Sequence, residues 1–201
     1  DFCLSRGLGD VYKRQALADV LFGDCEPGGR LPTTFPRRLQ DCPAWLSYPG
    51  EGGHVRYGEG VFAGYRGYDE LAVEPAFCFG HGLGYTTFAY GEVTATADEH
   101  GEVDLEVQVT NTGTRLGAET VQVYVHDVAA TVRRPPRELK GFARVSLEPG
   151  QTTTVRIHLD RRAFAFFHPG TRAWTVEPGE FELLVGRSSR DLRARTRVTA
   201  A

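Results

Sequence analysis

Between residues 57 and 69 the chain sets four aromatic rings, Tyr57, Phe62, Tyr65 and Tyr68, among the charged side chains of Glu59, Arg66 and Asp69. Aromatic faces stack on the C–H faces of sugar rings, and carboxylates accept hydrogen bonds from sugar hydroxyls. The segment therefore offers Tyr57, Glu59, Tyr65, Arg66 and Tyr68 as a substrate-binding set. The same residues also suit a strap whose tyrosines pack in a seam and bond through their hydroxyls. Gly58, Gly60, Gly64 and Gly67 favour the strap, because glycine permits close backbone approach.

Other candidate chemistry is thinner. Phe79-Gly-His-Gly-Leu-Gly-Tyr85 could shape a loop around a ligand, but it reads better as a tight turn with His81 hydrogen-bonded in a hinge. His126 and Asp127 are neighbours, and on a strand neighbours point to opposite sides, so the pair reads as a solvated loop. The series Arg187, Arg190, Arg193, Arg195 and Arg197 reads as a charged edge on the last strand that guards against aggregation. No nucleophile elbow, zinc-binding H-E-x-x-H or phosphate-binding glycine loop occurs. Cys3, Cys25, Cys42 and Cys78 stand apart without ligand spacing and read as reduced, mostly buried thiols. No metal or cofactor is expected.

Composition narrows the partners. Lysine and arginine total 23 against 26 acids, a net of −3, which is no footprint for nucleic acid or an anionic membrane. No apolar run approaches the roughly 20 residues of a membrane span. Methionine is absent from the 201 residues and the first residue is Asp1, so the chain is expected to be part of something longer. The compartment and the oligomeric state stay open, with the cytoplasm favoured.

The elements that must carry these residues are of two kinds. Ala16 to Phe22 puts Leu17, Val20 and Leu21 on one helical face, and Gly23 stops it. Arg30 to Phe35 is extended between prolines, Arg37 to Gly60 is loop, and Tyr57 to Asp69 is expected to be an extended connector. From Phe77 onward the period becomes two. Val103, Leu105, Val107 and Val109 alternate with polar residues, as do Val121, Val123 and Val125. Val155, Ile157 and Leu159 repeat the pattern, followed by Phe181, Leu183 and Val185 and a last strand with Leu192, Ala194 and Val198 facing in. Seven or eight short strands at this spacing predict a mainly β, immunoglobulin/fibronectin type III-like sandwich, each sheet with one wet face.

Several segments, taken in order, resemble one family. Ala16-Leu-Ala-Asp-Val-Leu-Phe-Gly-Asp24 and Pro27-Gly-Gly-Arg-Leu-Pro-Thr-Thr-Phe-Pro36 are similar to the end of the second domain of glycoside hydrolase family 3 enzymes. Tyr57 to Arg66, Phe79 to Phe88, Val109 to Gly113, Gln122 to Val125, Glu138 to Phe142 and Trp174 to Gly179 continue the likeness. The resemblance, strongest to bacterial β-glucosidases, implies a retaining exo-glycosidase acting on a terminal β-linked glucoside or oligosaccharide. It implies residues 16–76 as the C-terminal remnant of an α/β sandwich domain with its connector, and residues 77–201 as the fibronectin type III-like domain. Residues 1–15 match nothing in it and read as a non-native head. Retention needs two carboxyl groups about 5–5.5 Å apart. In the family both lie upstream of the Ala16 helix, so no catalytic residue is assigned. Glu51, Glu59, Asp69 and Glu70 match structural or peripheral positions. The expected role is structural support within a β-glucosidase, without activity of its own. The alternatives are a stand-alone carbohydrate-binding or adhesion module, or a family member acting on β-xylosides or N-acetylglucosaminides. The helix face, without its sheet, predicts that Ala16 to about Tyr57 is mobile or sticky, while Phe88 to Val198 holds.

Overall fold

The computed structural model describes residues 14–200. The expected non-native head therefore lies outside the described residues, apart from Arg14 and Gln15. Those two belong to α1, which is helical over residues 14–22. Gly23 ends it with a φ of +82°, and the Gly23 N–H donates back to the Val20 carbonyl at 3.1 Å.

Nine strands follow among the described residues. β1 (Phe88–Ala97), β2 (Val103–Asn111) and β5 (Thr152–Leu159) form one antiparallel sheet in the order β1-β2-β5. β3 (Gly117–Asp127), β4 (Glu138–Leu147), β8 (Gly179–Gly186) and β9 (Leu192–Ala200) form the second, ordered β4-β3-β8-β9. β6 (Phe166–His168) and β7 (Ala173–Thr175) make a separate two-stranded ribbon, which raises the strand number above the seven or eight expected. β1 lies beside β9 and β4 beside β5, so the two sheets close into a sandwich.

The expected period-two residues fill its core. Leu105 pairs with Ile157 and Val107 with Val155 in one sheet, while Val123 pairs with Val185 and Phe181 with Val198 in the other. All of these are buried, and Phe164 meets Phe181 edge to face at 5.2 Å. Alternation puts one side chain in two on the inner face, so each strand contributes an apolar row without burying its polar row.

Five expectations are corrected. First, the sheet containing β3 is wet on its outer face at β4 and β9 but not over the middle of β3. Gln122 and Tyr124 point outward from β3 and are buried, because the connector lies over them. Second, the connector is not extended. Gly60–Phe62 forms a 3₁₀ turn, and Tyr65–Glu70 forms α2. Propensity alone disfavours so short and glycine-rich a helix, but packing overrides it. A Cβ at Gly67 would collide with the Phe62 carbonyl and lie 2.9 Å from Pro43. Third, His126 and Asp127 end β3 rather than occupying a solvated loop, and Asp127 accepts from Arg134 at 3.1 Å. Fourth, Cys25 is exposed and Cys42 and Cys78 are only half-buried, all three being free thiols; Cys3 lies outside the described residues. The arginine series also divides, since Arg187 and Arg190 precede β9 and turn inward.

Candidate functional site

The outer face of β3 is where the N-terminal part meets the sandwich. Tyr65 stacks on Phe79 with ring centroids 4.7 Å apart and meets Tyr124 edge-on at 6.0 Å. Its hydroxyl accepts from the Leu139 N–H at 2.8 Å. Tyr124 donates to Gln122 Oε1 at 2.6 Å, and Gln122 Nε2 donates to the Arg187 carbonyl at 2.6 Å and the Gly80 carbonyl at 3.3 Å. Rings and amide together seal the seam with every Gln122 side-chain atom engaged.

Two fully buried carboxylates pin this seam. Glu119 on β3 meets Arg30 from the N-terminal part at 2.9 Å and Arg187 from the β8–β9 turn at 2.7 Å. Asp69 on α2 meets Arg137 at 3.1 Å and Arg190 at 2.8 Å. Arg190 also donates to the Tyr68 and Val73 carbonyls, both at 3.1 Å. A buried charge is costly unless paired and hydrogen-bonded, so each acid dictates where its two guanidinium groups must sit. Arginine suits the task because its planar fork serves several acceptors at once. The β8–β9 turn supplies one arginine to each acid, so one turn fastens both parts.

The five residues singled out for substrate binding separate here. Tyr65 is in the seam. Arg66 lies 3.8 Å from Glu138 at its edge. Tyr68 is buried, and its hydroxyl faces Cys42 Sγ at 4.0 Å. Burial, then the bond to Cys42, pushes that hydroxyl up to about 12. Burial likewise raises Tyr90 and Tyr124, so none of the three ionises near neutrality. Glu59 is half-buried ahead of the 3₁₀ turn, and one of its oxygens has no hydrogen-bond partner. Tyr57 is 84% exposed. Just before it, Tyr48, Glu51, His54 and Arg56 surround an open hollow of about 920 Å³. Phe62 carries Arg133 over its ring at 4.5 Å.

His81 does hold a hinge, but through its backbone: its carbonyl accepts from Leu31 at 2.8 Å, while Gly80 donates to the Leu31 carbonyl at 2.8 Å. Its ring leans on Phe77 at 5.5 Å. Sequence reasoning passed over Glu119, Arg30 and Arg137. The available signal was an acid within the apolar alternation of Gly117 to Val125, which burial obliges to find a cation. Among the described residues no three His, Cys, Asp or Glu side chains converge to hold a metal ion. The chemistry of this seam is cohesion. Each of its two carboxylates is held between two guanidinium groups.

Two family models match the chain. Residues 4–85 match the glycosyl hydrolase family 3 C-terminal domain, and residues 119–189 match the fibronectin type III-like domain. The first match takes in most of the expected head. A thermostable β-glucosidase B from Acetivibrio thermocellus is 49% identical over 180 residues, covering 88% of this chain and 24% of the relative. An exo-α-(1→6)-L-arabinopyranosidase from Bifidobacterium longum is 47% identical over 177 residues, covering 88% of this chain and 23% of the relative. The crystal structure of a family 3 β-glucosidase from Bifidobacterium adolescentis superposes with a TM-score of 0.89 at 45% identity, covering 92% of this chain and 28% of that one. The chain thus spans about a quarter of the length of the relatives it matches.

Proposed function

The chain belongs to glycosyl hydrolase family 3, carrying its C-terminal and fibronectin type III-like domains, and from that premise we propose that it is the supporting C-terminal part of a retaining, exo-acting β-glucosidase. The observation that carries this reading is the double clasp of Asp69 and Glu119. It binds the connector and the end of the α/β domain to the sandwich and commits both of its own carboxylates to guanidinium groups. Tyr65, Arg66 and Tyr68 are seam residues in this reading. Tyr57, which is exposed, and Glu59, which keeps an unpaired oxygen, are the members of the segment left to approach a β-linked glucoside.

Relatives named for different sugars match this region almost equally, at 49% and 47% identity, which supports a role in scaffolding rather than in choosing the sugar. β-Xyloside or N-acetylglucosaminide specificity would therefore be decided elsewhere in the enzyme. The test is a graft. Substituting this chain for the matching region of the Acetivibrio thermocellus relative should give a soluble enzyme that hydrolyses p-nitrophenyl β-glucoside, while the chain alone gives no turnover above background. Turnover by the chain alone, or a folded chimera without activity, would overturn the proposal.

A further inference from the structure

The β6–β7 ribbon stands apart from the seam and faces water. Its register sets Phe167 opposite Trp174, and the two rings meet edge to face at 5.8 Å on the outward side. They remain 50% and 53% exposed. A cross-strand aromatic pair stabilises a hairpin. That accounts for the pairing, but not for what lies beside it. Arg162, from the 3₁₀ turn Arg161–Phe164, holds its guanidinium 4.2 Å above the Trp174 ring. Arg161, Arg162, Ala165, Trp174, Thr175 and Val176 line a cavity of about 410 Å³. That volume falls within the roughly 300–1,000 Å³ of small-ligand sites.

The two arginines of this site form no ion pair. Among the described residues neither Arg161 nor Arg162 has a carboxylate partner. The acids nearest in sequence are committed elsewhere: Asp160 caps the turn by accepting from Ala163 at 2.9 Å, and Glu177 takes the Thr131 N–H at 3.0 Å. A half-exposed indole, partly covered by the Arg162 guanidinium, beside two arginines that form no ion pair suits a ligand that is at once a flat C–H surface and an anion. A uronic acid has both: its pyranose face stacks on the ring, and its carboxylate takes a paired bond from the fork. Stacking on Trp174 already orients Arg162, which reduces the ordering cost on binding.

We propose that the outward face of the β6–β7 ribbon binds an acidic saccharide, with Trp174 as the stacking platform and Arg162 and Arg161 as the carboxylate clamp. This site is independent of the support role and of any β-glucoside. Trp45 and Trp174 are the two tryptophans, so Trp45→Phe in the full chain leaves Trp174 as the reporter. Titration with digalacturonic acid at low salt should give a saturable fluorescence change. The response should weaken at high salt and be about tenfold weaker for methyl β-D-glucoside. Arg162→Gln and Arg161→Gln, with unchanged circular dichroism, should each weaken binding by about fivefold or more. No saturation by about 20 mM, equal response to the neutral sugar, or variants that bind like the parent would each overturn the proposal. Tighter binding of a neutral phenol than of the acid would overturn it too.

Discussion

Glu138 draws Arg134 to 2.9 Å, Lys140 to 3.2 Å and Arg66 to 3.8 Å, and its protonation is tied to folding. Burial works against its charge, but Lys140 and Arg134 outweigh burial and hold its carboxyl below the ordinary 4.5. The folded state therefore binds that proton less tightly than the unfolded state. The resulting stability is fully present above 4.5 and is lost as the pH falls through the depressed folded value. Glu138→Gln should lower the urea midpoint at pH 7, and the gap to the parent should close as the solution is acidified. A gap of constant size from pH 7 to pH 3 would show that the ion cluster contributes through shape alone. Lys140 carries the opposite strain, since burial pulls its ammonium below the ordinary range and only Glu138 opposes that. None of these pairings could be read from residue types, because the partners are assigned by packing.

The hinge and α2 show how elements constrain one another. Gly80 has a φ of +79°, and a Cβ there would collide with the Gln122 amide oxygen. Gln122 cannot swing aside, because Tyr124 and the Arg187 carbonyl hold both ends of its amide. Gly80→Ala should therefore cost about 2–4 kcal/mol in denaturant unfolding, with an unchanged m-value. A cost below about 0.5 kcal/mol would show that the amide gives way. The hinge was legible in the sequence because three glycines around one His leave few other conformations. The strands were legible because each buries one face, which writes a period of two into the chain. α2 was not legible: Tyr65–Glu70 is helical because Tyr65 packs on β3 and Tyr68 is buried by the Cys42 loop, and no local preference records that.

At the scale of the molecule, burial is unequal. The sandwich core is shut, whereas Leu17, Leu21 and Phe22 of α1 and Leu46, Tyr48 and Tyr57 of the following loops are exposed. α1 is tied down by polar contacts, with the Tyr85 hydroxyl donating to the Val20 carbonyl at 2.5 Å and Arg115 donating to the Gly23 carbonyl. Native-state hydrogen exchange should show β2, β3, β5 and β8 protected to the global unfolding limit and residues 16–57 opening well below it. Equal protection in both regions would mean that the clasp carries full cooperativity across the seam. The sequence by itself determined the sandwich, its turns and the helix before it, because alternation, glycine and proline act within a few residues of themselves. Only the tertiary structure decided that Glu119 meets Arg30 across 89 residues, and that Tyr65, Arg66 and Tyr68 lie at the seam. Such pairings follow from desolvation, which depends on what covers a side chain and not on what precedes it in the chain.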